Sequence, residues 1–110
     1  MTLILAPILE GKLDTWKQFA EDFANSEAGA DFGQRHGLTR QRAWLTETPS
    51  GPAIIVLTEG PGADEYMMKV ATSDHETDAR FREFVKDVHG MDLTQPPPGP
   101  LPELVFDLGG

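Results

Sequence analysis

The order in which hydrophobic periodicity changes along this chain restricts its fold more than any other feature. Period-two or continuous apolar runs occupy residues 2–9, 41–48, 53–59 and 104–108, the pattern of extended strands. Helical spacing falls between them, at 13–25 and within 63–89. In the first helical stretch Leu13, Trp16, Ala20 and Phe23 form one apolar stripe. In the second, Tyr66, Met67 and Val70 precede a break at Ser73, and Phe81, Phe84, Val85 and Val88 follow it on one face.

Strand, helix, strand, strand, helix, strand within 110 residues predicts an α+β fold, the ferredoxin-like β-α-β-β-α-β sandwich, as a single domain. Its sheet would be four-stranded and antiparallel, with both helices on one face. The first and third strands are apolar at odd and even positions alike, as in strands covered on both sides. The second mixes Arg40, Gln41, Arg42, Thr46 and Glu47 with Ala43, Trp44 and Leu45, while the fourth is short and comes after Pro100 and Pro102. Charge, proline and brevity protect sheet edges, so the expected strand order is 4-1-3-2. Two helices cover one face only. The apolar second face predicts a homodimer packed sheet against sheet about a two-fold axis.

The connections carry their own signals. Thr48-Pro49-Ser50-Gly51 reads as a hairpin turn. Ser73-Asp74-His75-Glu76 reads as a capping box with Ser73 as the cap, and Gly90 as the left-handed residue that ends the helix. Residues 26–39 form a long glycine-bearing connection with a short helical turn around Phe32. Residues 95–102, QPPPGPLP, read as a polyproline strap leading to the sheet edge.

Charge and composition narrow the function. A formal net charge of −9 argues against nucleic acid and anionic membrane surfaces, since both are bound through clustered Lys and Arg. No apolar stretch reaches the roughly 20 residues of a membrane span. Met1 leads into strand residues without a basic leader, so a cytoplasmic location is expected. The absence of cysteine removes disulfides, thiolate metal sites and a thiol nucleophile. His36, His75 and His89 stand at no metal-ligand spacing, and Gly60-Pro61-Gly62 lacks the lysine of a phosphate loop. No metal and no cofactor are expected.

The strongest chemical signal is a basic island. From Phe32 to Thr46 there is no Asp or Glu, while Arg35, His36, Arg40 and Arg42 all fall there. Arginine forks match carboxylates and phosphates, so the island reads either as a site for an anionic small molecule or as edge protection paired with nearby acids. His36 and His75 are the candidate general bases. His89 falls in a last helical turn, where the helix dipole favours an imidazolium. Trp44 and Tyr66, with Met67 and Phe81, read either as core or as the wall of a cavity between sheet and helices, with Arg42 beside Trp44 as an anion clamp.

The runs RHGLTRQRAWLTETPSGP and SDHETDARFREFVKDVHGMDLTQPPPGP resemble those of small, functionally uncharacterised bacterial proteins of the dimeric α+β-barrel superfamily. That resemblance implies a ferredoxin-like protomer, a sheet-to-sheet dimer and a distant relation to cofactor-independent monooxygenases. It assigns no catalytic residue. The expectation is a homodimer that binds a small organic or anionic ligand, in its sharper form a monooxygenase or isomerase using His75 or His36 as base. The alternative is a non-catalytic dimeric module of stress-related or regulatory type.

Overall fold

Residues 1–95 and 102–109 are described by the computed structural model. Among the described residues, three strands and four helices run in the order β1 (Thr2–Pro7), α1 (Leu13–Ala24), α2 (Glu27–Arg35), β2 (Arg40–Thr48), β3 (Gly51–Glu59), α3 (Tyr66–Thr72) and α4 (Glu76–His89). The sheet is antiparallel in the order β1-β3-β2. β3 is central, pairing Leu5 with Ile55 on one side and Trp44 with Ile55 on the other. The β2–β3 hairpin closes where Thr48 Oγ1 donates to Gly51 O at 2.8 Å and accepts from Ser50 N–H at 3.2 Å.

The four-stranded ferredoxin-like sandwich in the order 4-1-3-2 is overturned, and with it the expectation of two helices and of the barrel built on that protomer. Residues 102–109 contain no strand, and Leu104, Val105, Phe106 and Leu108 lie in solvent. Alternating apolar residues make a segment compatible with a strand, but a strand exists only when a neighbour takes its backbone hydrogen bonds. Here β1 stands at a sheet edge instead of inside it. The expected polyproline strap falls mostly on residues 96–101, outside the described residues. The helical count differs because residues 27–35 form a full helix. Ser26 caps it, its Oγ accepting from Gly29 N–H at 2.9 Å and donating to Phe23 O at 3.0 Å. Gly29 permits this corner, because a Cβ there would meet the Phe23 carbonyl oxygen. Two glycines lower helical propensity, and the cap with the burial of Phe32 outweighs them.

Register assigns the faces, since residues directly opposite in an antiparallel pair share one. Thr2, Ile4 and Ala6 lie with Ile54, Val56 and Thr58, and with Gln41 and Ala43, on the face toward the helices. Leu3, Leu5, Ile55, Leu57, Arg42 and Trp44 lie on the other, which no described element covers. Ala6, Ile8, Ile54 and Val88 form one core cluster, with Leu13, Trp16 and Phe84 against it. Phe32, Tyr66 and Val70 form a second. Between them α1 rests on aromatic contacts, Phe19 stacking on Phe84 with centroids 3.7 Å apart and on Phe23 at 5.1 Å.

α4 begins later than its capping-box pattern suggests. Its cap is His75, whose Nδ1 accepts from Thr77 N–H at 3.1 Å, while Ser73 Oγ accepts from His75 N–H at 3.1 Å. Glu76 turns outward to Arg80. The helix ends at Gly90 in the left-handed conformation, φ 68°.

Candidate functional site

Large side chains on α1, α2 and α4 hold the helices off the sheet, and a cavity of about 650 Å³ remains between the two layers. Its floor is Ile4, Ala6, Ile54 and Val56, and its walls carry Trp16, Phe19, Phe23, Phe81 and Phe84. The lining is mainly apolar, and the polar groups converge at two places. At one end Gln41 Nε2 donates to Thr58 Oγ1 at 3.0 Å and to Tyr66 Oη at 3.3 Å. The Thr58 and Tyr66 hydroxyls lie 3.4 Å apart. One contact uses one of their two hydroxyl hydrogens, and the other is left to donate. Burial pushes the Tyr66 phenol up from its ordinary value, against the lowering effect of Thr58 and Gln41, so it stays protonated.

His89 stands elsewhere in the wall. Its Nδ1 donates to Pro7 O at 2.6 Å, which fixes the tautomer with Nε2 as an acceptor. Nε2 has no hydrogen-bond partner among the described residues. Desolvation lowers the imidazole's pKa, and the Pro7 carbonyl opposes this only in part. The helix-terminus preference for an imidazolium is therefore reversed here: His89 is a neutral acceptor against an aromatic wall, with Phe84 edge-on at 6.2 Å.

The basic island leads to a second constellation. Asp78, on α4, has a side chain 0% exposed. Arg35 grips it with two hydrogen bonds of 2.9 Å, and His36 Nε2 donates to both its oxygens at 3.2 Å. Burial opposes ionisation of Asp78, but hydrogen bonds from Arg35, Ser73 and His36 prevail and hold its carboxyl well below the usual range. Asp78, with Asp31 at 2.7 Å, raises Arg35 in turn despite desolvation. His36 is 4% exposed, and its Nδ1 has no partner among the described residues.

The expected site residues are thus divided. Arg35 and His36 are committed to Asp78 and do not border the cavity. His75 is a helix cap with Nε2 3.7 Å from Asp31, also away from the cavity. Arg40 and Arg42 border it, but the Arg42 guanidinium pairs with Glu59 at 3.0 Å and stands 5.4 Å over the Trp44 ring, on the outer face. Tyr66 is in the cavity wall and Trp44 is not. The general base and the anion clamp expected from sequence therefore do not meet at one point. His89, Gln41 and Thr58 are the polar residues that sequence reasoning passed over. Strand alternation combined with the hairpin register, which sets Gln41 opposite Thr58, is the signal that could have found two of them.

Among the described residues, no three His, Asp or Glu side chains converge as metal ligands, and no helix is long and apolar enough to cross a membrane. No protein-family model, curated protein or solved structure matches this chain.

Proposed function

We propose that this protein binds a small, neutral, ring-bearing organic molecule in the cavity between sheet and helices. The observation that carries the reading is His89, a neutral imidazole with Nδ1 tied to Pro7 O and Nε2 unpartnered among the described residues, in an aromatic cavity of about 650 Å³. That volume lies within the roughly 300–1,000 Å³ of small-molecule sites, which combine apolar walls with a few placed polar groups. His89 Nε2 accepts a hydrogen bond from the ligand, and the free hydroxyl hydrogen of the Thr58–Tyr66 pair donates one. A planar hydroxylated aromatic meets both demands. Of the two arginines at the cavity border, Arg42 is already neutralised by Glu59 and Arg40 is exposed to water, which favours a neutral ligand over an anion.

The test uses 2-naphthol, which carries a ring and a hydroxyl donor, beside naphthalene, which lacks the donor. Titration followed by NMR should show 2-naphthol shifting the resonances of Met67 and Phe84. Replacing His89→Phe should weaken 2-naphthol about fivefold to tenfold, the value of one net hydrogen bond, and leave naphthalene unchanged. Absence of shifts at the lining residues, or equal losses for both probes, would overturn the reading.

A further inference from the structure

The two polar stations of the cavity are not neighbours, and the sheet measures the distance between them. Thr58, whose hydroxyl holds Tyr66 Oη, pairs with Thr2 at the start of β1, while His89 is fixed to the carbonyl of Pro7 at the end of that strand. From residue 2 to residue 7, at roughly 3.3 Å per residue, the strand covers about 16 Å. The stations also belong to different core clusters. Tyr66 packs with Phe32 and Val70, and Val88, next to His89, packs with Ala6, Ile8 and Ile54.

A row of rings in the cavity wall runs from one station to the other. His89 faces Phe84, Phe84 stacks on Phe19 and Phe19 on Phe23, Phe23 meets Phe32 edge-on, and Phe32 meets Tyr66, each step between 3.7 and 6.5 Å. The two ends differ in sense. Thr58 is 0% exposed and donates to Tyr66 Oη at 3.4 Å, so the hydrogen left over belongs to Tyr66, which borders the cavity. One station donates, and the other, His89 Nε2, accepts. Taking a hydrogen bond of about 2.8 Å from each end of the strand length leaves about 11 Å between the ligand's own polar atoms. Four fused rings carry their terminal oxygens about that far apart, whereas a hydroxyl on two rings reaches one station at a time.

On the reading that the cavity takes a neutral ring-bearing molecule, we infer that its ligand is a rod of about steroid length, with a hydroxyl at the His89 end and a carbonyl at the Tyr66 end. The aromatic row supplies the apolar contact between the two.

The probes are estrone, with a phenol at one end and a ketone at the other, the same steroid without its ketone, and 2-naphthol. Each is titrated by the quenching of tryptophan fluorescence, Trp16 being in the wall. Estrone should bind about fivefold to tenfold more tightly than the steroid lacking the ketone, the value of one net hydrogen bond. Tyr66→Phe should erase that difference and leave 2-naphthol unchanged, which also shows the variant to be folded. His89→Phe should weaken estrone and 2-naphthol alike. If 2-naphthol fails to bind, or binds His89→Phe as well as wild type, the neutral-ring reading falls and the rod with it. If 2-naphthol binds through His89 but the two steroids bind wild type equally, the rod alone is overturned. A loss of 2-naphthol affinity in Tyr66→Phe overturns it too, since both stations would then lie within reach of one small ring.

Discussion

Replacing Asp78→Asn keeps the shape of the side chain and removes its charge, and the geometry around it sets the cost. The carboxylate is fully buried and receives two hydrogen bonds of 2.9 Å from Arg35 and two longer ones of 3.2 Å from His36. An amide offers one acceptor where there were two, and points its own N–H bonds at donors. Arg35 loses its main partner while keeping Asp31 at 2.7 Å. Removing one member of a buried ion pair costs about 3–5 kcal/mol. The lower end, ~3 kcal/mol, applies because Arg35 is partly solvated and retains Asp31. For a domain of this size that is a fall in melting temperature of ~12 °C. Urea unfolding followed by circular dichroism measures it, and the pH dependence separates charge from shape. The folded carboxyl lies below its ordinary value, so the stability it contributes is present above the unfolded pKa and is lost as pH falls through the folded one. The gap between wild type and variant should hold from neutrality to about pH 5 and close as pH drops below about 4. A gap under about 1 kcal/mol at neutral pH would refute the reasoning, as would one that does not close in acid.

Local geometry sets the remaining outcomes. The folded state holds His89 below its ordinary pKa, so the unfolded chain takes up the proton first: the stability is present above about pH 6.5 and falls as pH drops below it. Urea midpoints between pH 8 and 5 should decline less in His89→Gln than in wild type, and parallel curves would remove the assignment. Gly62 N–H donates to Gly37 O at 2.9 Å and a Cβ there would strike the His36 carbonyl oxygen, so Gly62→Ala should destabilise by about 3 kcal/mol. Gly11→Ala, where φ is +79° but no atom lies nearby, should cost only about 1 kcal/mol by the same denaturation assay.

The three paired strands and α1 are legible in the sequence because their signal is local. Alternation in β2 and the stripe Leu13, Trp16, Ala20 and Phe23 need no knowledge of the rest of the chain, and α1 ends within a residue of its expected limit. α2 is obscured by Gly29 and Gly33, whose low propensity hides a helix held by the Ser26 cap and the burial of Phe32. Residues 104–108 show the opposite failure. Their pattern is strand-like, but pairing depends on a neighbour that no local pattern specifies. At the site, the acid-free run from Phe32 to Thr46 marks Arg35 and His36 as charged neighbours in need of a counter-charge. Asp78 comes from a helix more than 40 residues away, so its identity is not a property of the run. His89 was readable as a helix-terminal residue, but its charge state is set by burial against Pro7, which only the packing of α4 on β1 creates.

The bond from His89 to Pro7 also bears on the behaviour of this sheet at high concentration. An open strand edge is a template on which further chains add without limit. Along β1, Pro7 has no N–H to offer and its carbonyl is already taken by His89. The usable stretch narrows to Leu3 and Leu5, too short to seed a growing ladder. The opposite edge, on β2, carries Arg40, Gln41 and Glu47, whose polarity deters stacking. Growth by edge addition is thereby hindered at both edges, and a substitution that frees the Pro7 carbonyl lengthens the exposed template at the same time as it disturbs the cavity wall.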